Sequence, residues 1–336
     1  MSNIADRHFN IKRSLITFCM ALLAVCSSAQ PIKNTSISYV HQDEPGCSVY
    51  FIKAVARIFL NKKSISEKLS KDHFVSEAAR IPGKIIAGFT IDTSRVNGRK
   101  VYQISPKGKK SGKYVVFLHG GGYINNIFRQ HWTFAATIVR ETNCTFIIPD
   151  YPLAPASTFE EAFAMLDAIY KNLLTHIAAK NIILMGDSAG GGLAFALAQK
   201  QRNDGIPQSA QLILISPWLD ITMSNPEIQE VQKKDVSLRA DNLVMAGNAW
   251  AGKSDPANYL VSPVNGSLVG LPKISLFIGT HDILYPDCKK LKVLLEQKGI
   301  AGNYFEYPKM FHDWVMLISL KESEKAISQI CQLIVE

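Results

Sequence analysis

The chain reads as an α/β fold, a mostly parallel central sheet with helices on both faces. Three observations predict it. Short apolar, β-branched runs alternate with longer amphipathic stretches, the order expected when crossover helices link buried parallel strands. A glycine-rich segment, Gly186-Asp187-Ser188-Ala189-Gly190-Gly191, stands between a strand-like run and a helix-like run. The residues best suited to chemistry fall just past strand ends, the edge at which open α/β sheets bind ligands.

The 336 residues suffice for one large α/β domain or two small ones, and 47% hydrophobic with 19% charged residues is a globular balance. The formal net charge of +9 comes partly from Arg7, Lys12 and Arg13. The remaining basic residues are dispersed except for Lys107, Lys109, Lys110 and Lys113, which sit with Gly108 and Gly112 between two strand-like runs. We expect a solvated hairpin turn there. No aromatics interleave with the lysines, so neither a nucleic-acid nor a membrane patch is indicated.

Leu15 to Val25 is apolar, too short to span a bilayer, preceded by Lys12-Arg13 and followed by Ser27-Ser28-Ala29. This is the layout of a signal peptide over 1–29, cleaved after Ala29, with 30–47 as a spacer and an exported mature chain that has no integral span. An uncut anchor or a disordered arm is the alternative. Leu23-Ala24-Val25-Cys26 also loosely resembles a lipobox that would lipidate Cys26, although Val25 fits it poorly. Outside the leader, Cys47, Cys144, Cys288 and Cys331 are widely spaced with no C-x-x-C pair, which argues against zinc and leaves disulfide pairing open. Cys144 and Cys331 have apolar neighbours and are expected to be buried thiols.

From residue 48 to 80 the pattern is helical, with Val49, Ile52, Val55, Ala56 and Phe59, then a polar turn, then Leu69 and Phe74. Gly83 to Ser105 reads as short β-type runs. Strands are expected at Tyr114–Leu118, Thr145–Ile148, Asn181–Met185, Gln211–Ile215, Ile274–Ile278 and Asn303–Tyr307. Helices are expected at Phe159–Leu174, Leu193–Gln201, Asp241–Trp250, Cys288–Lys298 and Glu322–Val335. The stretch from Ile221 to Tyr259 is otherwise irregular.

The segment around Ser188 has the G-x-S-x-G pattern of a nucleophile elbow in its strand–turn–helix setting. A strained turn would lift the serine hydroxyl above the sheet edge. The Ala189 N–H would open a helix whose dipole favours negative charge. The plainer reading is an ordinary serine in a glycine-rich turn. His119-Gly120-Gly121-Gly122-Tyr123 follows the strand Tyr114–Leu118. Its glycines could aim backbone N–H groups at an oxyanion. We assign the oxyanion hole to Gly120, Gly121, Gly122 and Ala189, with Gly121, Gly122 and Ala189 as donors and Gly120 making the turn. A phosphate loop would need a Walker lysine or G-x-G-x-x-G, and neither is present. His119 is expected to support the loop rather than act as a base.

Ser188 needs a base and the base a carboxylate, in the chain order Ser, Asp, His. Asp282 follows the strand Ile274–Ile278 and His312 follows Asn303–Tyr307, so both are candidates with Ser188. His281 would have to face away from Asp282. Asp287 reads as a helix cap or charge partner, and Asp313 as a supporting or surface residue.

Taken together these motifs resemble the hormone-sensitive-lipase-like group of α/β-hydrolases, the bacterial family IV esterases. His119–Tyr123 is similar to its HGGG motif and Gly186–Gly191 to its GDSAGG elbow. Tyr151-Pro152-Leu153-Ala154-Pro155 with Phe159 is similar to its Y-x-L-A-P-E-x-x-F segment, with Ala156 in place of Glu. The resemblance covers 48–336. It implies the α/β-hydrolase fold and a carboxylesterase or lipase acting on small ester substrates, short- to medium-chain or acetyl, with Ser188, Asp282 and His312 and without cofactor or metal. It also implies a helical cap from 48–80 and about 221–260. An amidase or lactonase on the same residues, or a non-catalytic ligand-binding relative, is the alternative, and a homodimer is left open.

Overall fold

Central strands buried on both faces must be apolar on both, and this is how the chain is written. In the computed structural model, residues 36–59, 64–69 and 76–336 are described. The expected signal peptide, its cleavage site, Cys26 and Phe74 lie outside them. Among the described residues the sheet has nine strands: β1 (Ser38–Val40), β2 (Thr90–Val96), β3 (Arg99–Ser105), β4 (Tyr114–Leu118), β5 (Thr145–Pro149), β6 (Ile182–Asp187), β7 (Gln211–Ile215), β8 (Lys273–Gly279) and β9 (Gly302–Tyr307). Their order is β1-β9-β8-β7-β6-β4-β5-β3-β2. Pairing is parallel except at β2–β3 and β3–β5. The α/β reading therefore stands, with an antiparallel edge on a parallel sheet.

Alternate side chains feed two cores. Val116, Leu118, Leu184, Leu212 and Leu214 join one, with the helices Phe159–Leu174 and Ser188–Asn203. Val115, Phe117, Ile183, Met185, Ile213 and Ile215 join the other, with Arg129–Thr142 and Lys321–Val335. Each fully buried aliphatic or aromatic side chain contributes about 1.5–3 kcal/mol by leaving water, so the central strands fix the register of everything attached to their ends.

Most predicted elements appear within three residues of their expected bounds, and Phe159–Leu174 has the same ends. Three readings are corrected. Gly83–Gly88 is a short helix rather than a strand, burying Ile85 and leaving Ile86 exposed. The lysine cluster at 107–113 is solvated but is no hairpin: it joins β3 to β4, and β5 lies between them in the sheet. The hairpin is instead Asn97-Gly98, with φ of 49° and 77°, joining the antiparallel β2 and β3. Positive φ at both central residues is the type I′ pattern that matches strand twist. The third correction is at the elbow, where the helix begins at Ser188 itself, five residues before its expected start.

The described cysteines are unpaired thiols: Cys144 and Cys288 are buried, Cys331 is only half-buried and Cys47 is exposed. The helix Ser64–Leu69 packs against Ala240–Ala251, so the N-terminal helical region meets the 221–260 segment. Among the described residues no helix is long and apolar enough to cross a membrane.

Candidate active site

Strand β6 ends at Asp187 and the chain reverses at Ser188, whose φ of 51° lies in the left-handed region that non-glycine residues rarely adopt. Such strain costs on the order of 1–3 kcal/mol and persists only where the surroundings enforce it. Here they do. A Cβ on Gly190 would stand 1.9 Å from the Leu118 carbonyl oxygen, so only glycine lets the helix pass β4 this closely. The Ser188 carbonyl accepts the Trp218 N–H at 2.9 Å. Ala189, fully buried, follows in the first helical turn, where N–H groups have no intrahelical acceptor.

Three strand ends bring the predicted residues together. His312 Nε2 is 2.9 Å from Ser188 Oγ, and His312 Nδ1 is 2.9 Å from Asp282 Oδ2. A carboxylate only accepts, so Nδ1 carries a proton for Asp282, and when the ring is neutral Nε2 is free to accept from the serine hydroxyl. Asp282 is fully buried, and its Oδ1 accepts the Leu284 N–H at 2.9 Å. Burial alone would lower the basicity of His312. The carboxylates of Asp282 and Asp313 outweigh it and hold the imidazole well above its ordinary pKa.

The turns carrying Asp282 and His312 are fixed by residues the sequence does not single out. Asp235, almost fully buried, accepts the Ile283 N–H on Oδ2 at 2.8 Å and the Ser237 and Leu238 N–H groups on Oδ1 at 2.7 and 2.8 Å. Burial raises its pKa, and Asp282 adds to the rise. Lys53, on the helix Cys47–Phe59, sets Nζ 2.6 Å from His281 Nδ1 and donates to the Lys309 carbonyl at 3.1 Å. Burial pushes His281 down to about 4, with Lys53 contributing, so the ring is neutral and accepts the ammonium proton. His281 therefore faces Lys53, as expected of a residue that had to turn away from Asp282. Asp287 is not a cap. Leu284 holds that position, while Asp287 lies in the first turn of Tyr285–Gln297, buried, and accepts from Asn225 at 2.9 Å.

On the glycine loop, His119 is fully buried. Its Nδ1–H donates to the Gly120 carbonyl at 2.8 Å, and its ring stacks on Tyr151 at 4.4 Å. The Tyr151 hydroxyl donates to the His119 carbonyl at 2.6 Å. Burial pushes the imidazole down to about 3, which keeps it neutral and suits loop support. The Gly120 N–H is committed to Asp187 Oδ1 at 2.8 Å, so among the four residues assigned to the oxyanion hole Gly120 makes the turn and does not donate. Gly121 and Gly122 have φ of 127° and 65°, and their N–H groups take no acceptor among the described residues. Tyr123, next in the chain, lies flat on Trp250 at 4.3 Å and ties the loop to Ala240–Ala251.

Asp187 occupies the x position of the elbow motif and has a defined role. Besides Gly120 it is 3.1 Å from His131 Nε2, and His131 Nδ1 accepts the Phe128 N–H at 2.9 Å. Nε2 must therefore carry the proton given to Asp187. Burial would raise this carboxyl, but His131 and the Gly120 N–H outweigh it, and its pKa falls below the usual range. One buried carboxylate thus joins elbow, glycine loop and the helix Arg129–Thr142. Among the described residues no group of three or more His, Cys, Asp or Glu is gathered as a metal ion would require.

Residues 115–316 match a family model described as the alpha/beta hydrolase fold. An acetyl-hydrolase of Streptomyces hygroscopicus is 28% identical over 207 residues, covering 61% of this chain and 69% of that protein. An esterase of Acinetobacter venetianus is 30% identical over 231 residues, covering 67% of this chain and 76% of that protein. The crystal structure of an esterase/lipase from an uncultured bacterium superposes with a TM-score of 0.73 at 25% identity, covering 86% of this chain and 98% of that one. The matched span runs from β4 past His312 and takes in Ser188 and Asp282. The chain belongs to the alpha/beta hydrolase fold family, among its esterase- and lipase-type enzymes.

Proposed function

We propose that the chain is a serine carboxylic ester hydrolase working through an acyl-enzyme on Ser188. The observation that carries this reading is the unbroken path from Asp282 Oδ2 through His312 to Ser188 Oγ, 2.9 Å at each end. His312 takes the Ser188 proton on Nε2 as Oγ attacks the ester carbonyl. Asp282 keeps the ring in the tautomer that can accept it and stabilises the imidazolium that forms. The oxyanion is received by the N–H groups of Gly121, Gly122 and Ala189. One such donor is worth about 10²–10³ in rate in a site closed to water. His312 then returns its proton to the leaving alcohol. Water, deprotonated by the same nitrogen, cleaves the acyl-enzyme and restores the serine. Every step uses protein groups and water.

We assign short- to medium-chain acyl or acetyl esters as substrates. The Streptomyces relative's name as an acetyl-hydrolase supports this. The contact of Ser64–Leu69 with Ala240–Ala251 supports the reading of 48–80 and 221–260 as a cap above the serine. A lid of this kind narrows the acyl pocket and excludes water. Export with cleavage after Ala29 belongs to the same reading, and the mass of the secreted chain tests it. The function itself is tested with Ser188→Ala. We expect p-nitrophenyl acetate turnover to fall by about 10⁴-fold or more with an unchanged circular dichroism spectrum. Retained turnover contradicts the assignment.

A further inference from the structure

We propose that Asp313 is a second acidic partner of His312, one that holds a proton on the imidazole of the resting enzyme and thereby sets the pH above which Ser188 becomes a nucleophile. The proposal rests on the assignment of Ser188, His312 and Asp282 made above. Its ground is geometric. Asp313 Oδ2 lies 3.0 Å from His312 Nε2, the same nitrogen that stands 2.9 Å from Ser188 Oγ. Asp282 takes the other ring nitrogen. A neutral ring protonated on Nδ1 turns a lone pair toward the Asp313 carboxylate and is repelled. An imidazolium turns an N–H there and is attracted.

The carboxylate has little freedom to leave. Asp313 adopts a φ of 54°, so the backbone folds back immediately after His312. Its N–H points at Ser216 Oγ, 3.4 Å away. The side chain is 21% exposed, and Oδ1 is buried without a partner among the described residues. Around this pair the elbow contributes Asp187 and Ser188, the β8 turn Asp282, and the segment before Ala240–Ala251 Asp235. On the far side of His281, Lys53 is paired with that ring, and Lys234, Arg57 and Lys309 act on it as well. Acidic groups dominate, and that field favours a charged ring. Burial pushes the Asp313 carboxyl up to about 7, and His312 pulls against that rise.

The sign follows. His312 must shed its proton before it can accept one from Ser188, so activity rises as pH climbs through the pKa of the base. A group favouring the imidazolium moves that limb to higher pH. It also stabilises the imidazolium formed during attack, which raises the plateau. Asp313→Asn and Asp313→Gly remove the charge with residues that tolerate left-handed backbone. In the full chain with p-nitrophenyl acetate, from about pH 5 to about pH 9, both variants should shift the acid limb of kcat/KM down by about one pH unit. Relative to each enzyme's own plateau, that is about a tenfold gain at the foot of the limb. The kcat plateau should fall several-fold with KM unchanged. The ¹⁵N shift of His312 follows ring protonation without turnover and should titrate at lower pH in both variants. An unmoved His312 midpoint in both variants overturns the proposal, whatever the activity does. Because that readout is independent of hydrolysis, it separates this failure from a failure of the Ser188 assignment, which Ser188→Ala decides.

Discussion

Ser188 sits on a turn set by close backbone packing, whereas Asp282 and His312 sit on turns held by hydrogen bonds from side chains of other elements. At the elbow, Gly190 lets the helix graze β4, and Asp187 pins the loop at Gly120. At the other two turns the supports are Asp235, nearly fifty residues before Ile283, and Lys53, more than two hundred residues from both His281 and Lys309. Ser188 is thus placed by steric fit and the Asp282 and His312 turns by side-chain hydrogen bonding. Perturbing the first should cost the fold, and perturbing the second should cost mainly the alignment of His312.

The largest effect is expected at the elbow. Gly190→Ala places a methyl inside the Leu118 carbonyl, and we expect a loss of about 3 kcal/mol or more, or no soluble protein, read from denaturant midpoints. Asp235→Ala strips the acceptor from one buried and two part-buried N–H groups. It should cost about 2 kcal/mol and lower kcat about tenfold or more by loosening the acid's turn, with KM little changed. Asp187 yields a pH signature instead. Its folded pKa is depressed, so its stabilisation is present above the unfolded value near 3.8 and is lost as pH falls through the folded one. Asp187→Asn should flatten the decline of the thermal midpoint below about pH 4. Lys53→Met should be mildest, lowering kcat/KM a few-fold. Burial pulls the Lys53 ammonium down to about 8 from 10.5, so the folded chain holds fewer protons than the unfolded one between those values. Stability therefore rises with pH across that window, and Lys53→Met should remove that rise. A Lys53→Met enzyme that matched the wild type in both kinetics and pH profile would dissolve the contrast between the two regions.

The same contrast explains what could be read from the sequence. The elbow and the glycine loop are legible because close backbone approach or a positive φ demands glycine there. Asp282 and His312 are legible at one remove, through strand ends and chain order. Asp235 and Lys53 are not, since no period or motif says which distant N–H or carbonyl a carboxylate or ammonium will meet. Asp187 stands inside the elbow motif, but that position gives no hint that Gly120 and His131 converge on it. The lysine cluster at 107–113 illustrates a different limit: lysines and glycines mark a solvated loop, yet not whether its flanking strands pair. Asn97-Gly98 carries a true hairpin signal within the β-type runs of Gly83 to Ser105. In the same stretch, Gly83-Lys84-Ile85-Ile86-Ala87-Gly88 is too short an apolar run to tell helix from strand by period.

We propose a single serine oxygen made nucleophilic by His312, and covalent capture tests that most directly. Incubated with a fluorophosphonate and digested, the full chain should carry one adduct, on the peptide containing Ser188, and His312→Ala should slow its formation by several orders of magnitude. An adduct elsewhere, or one forming at the same rate without His312, would contradict it.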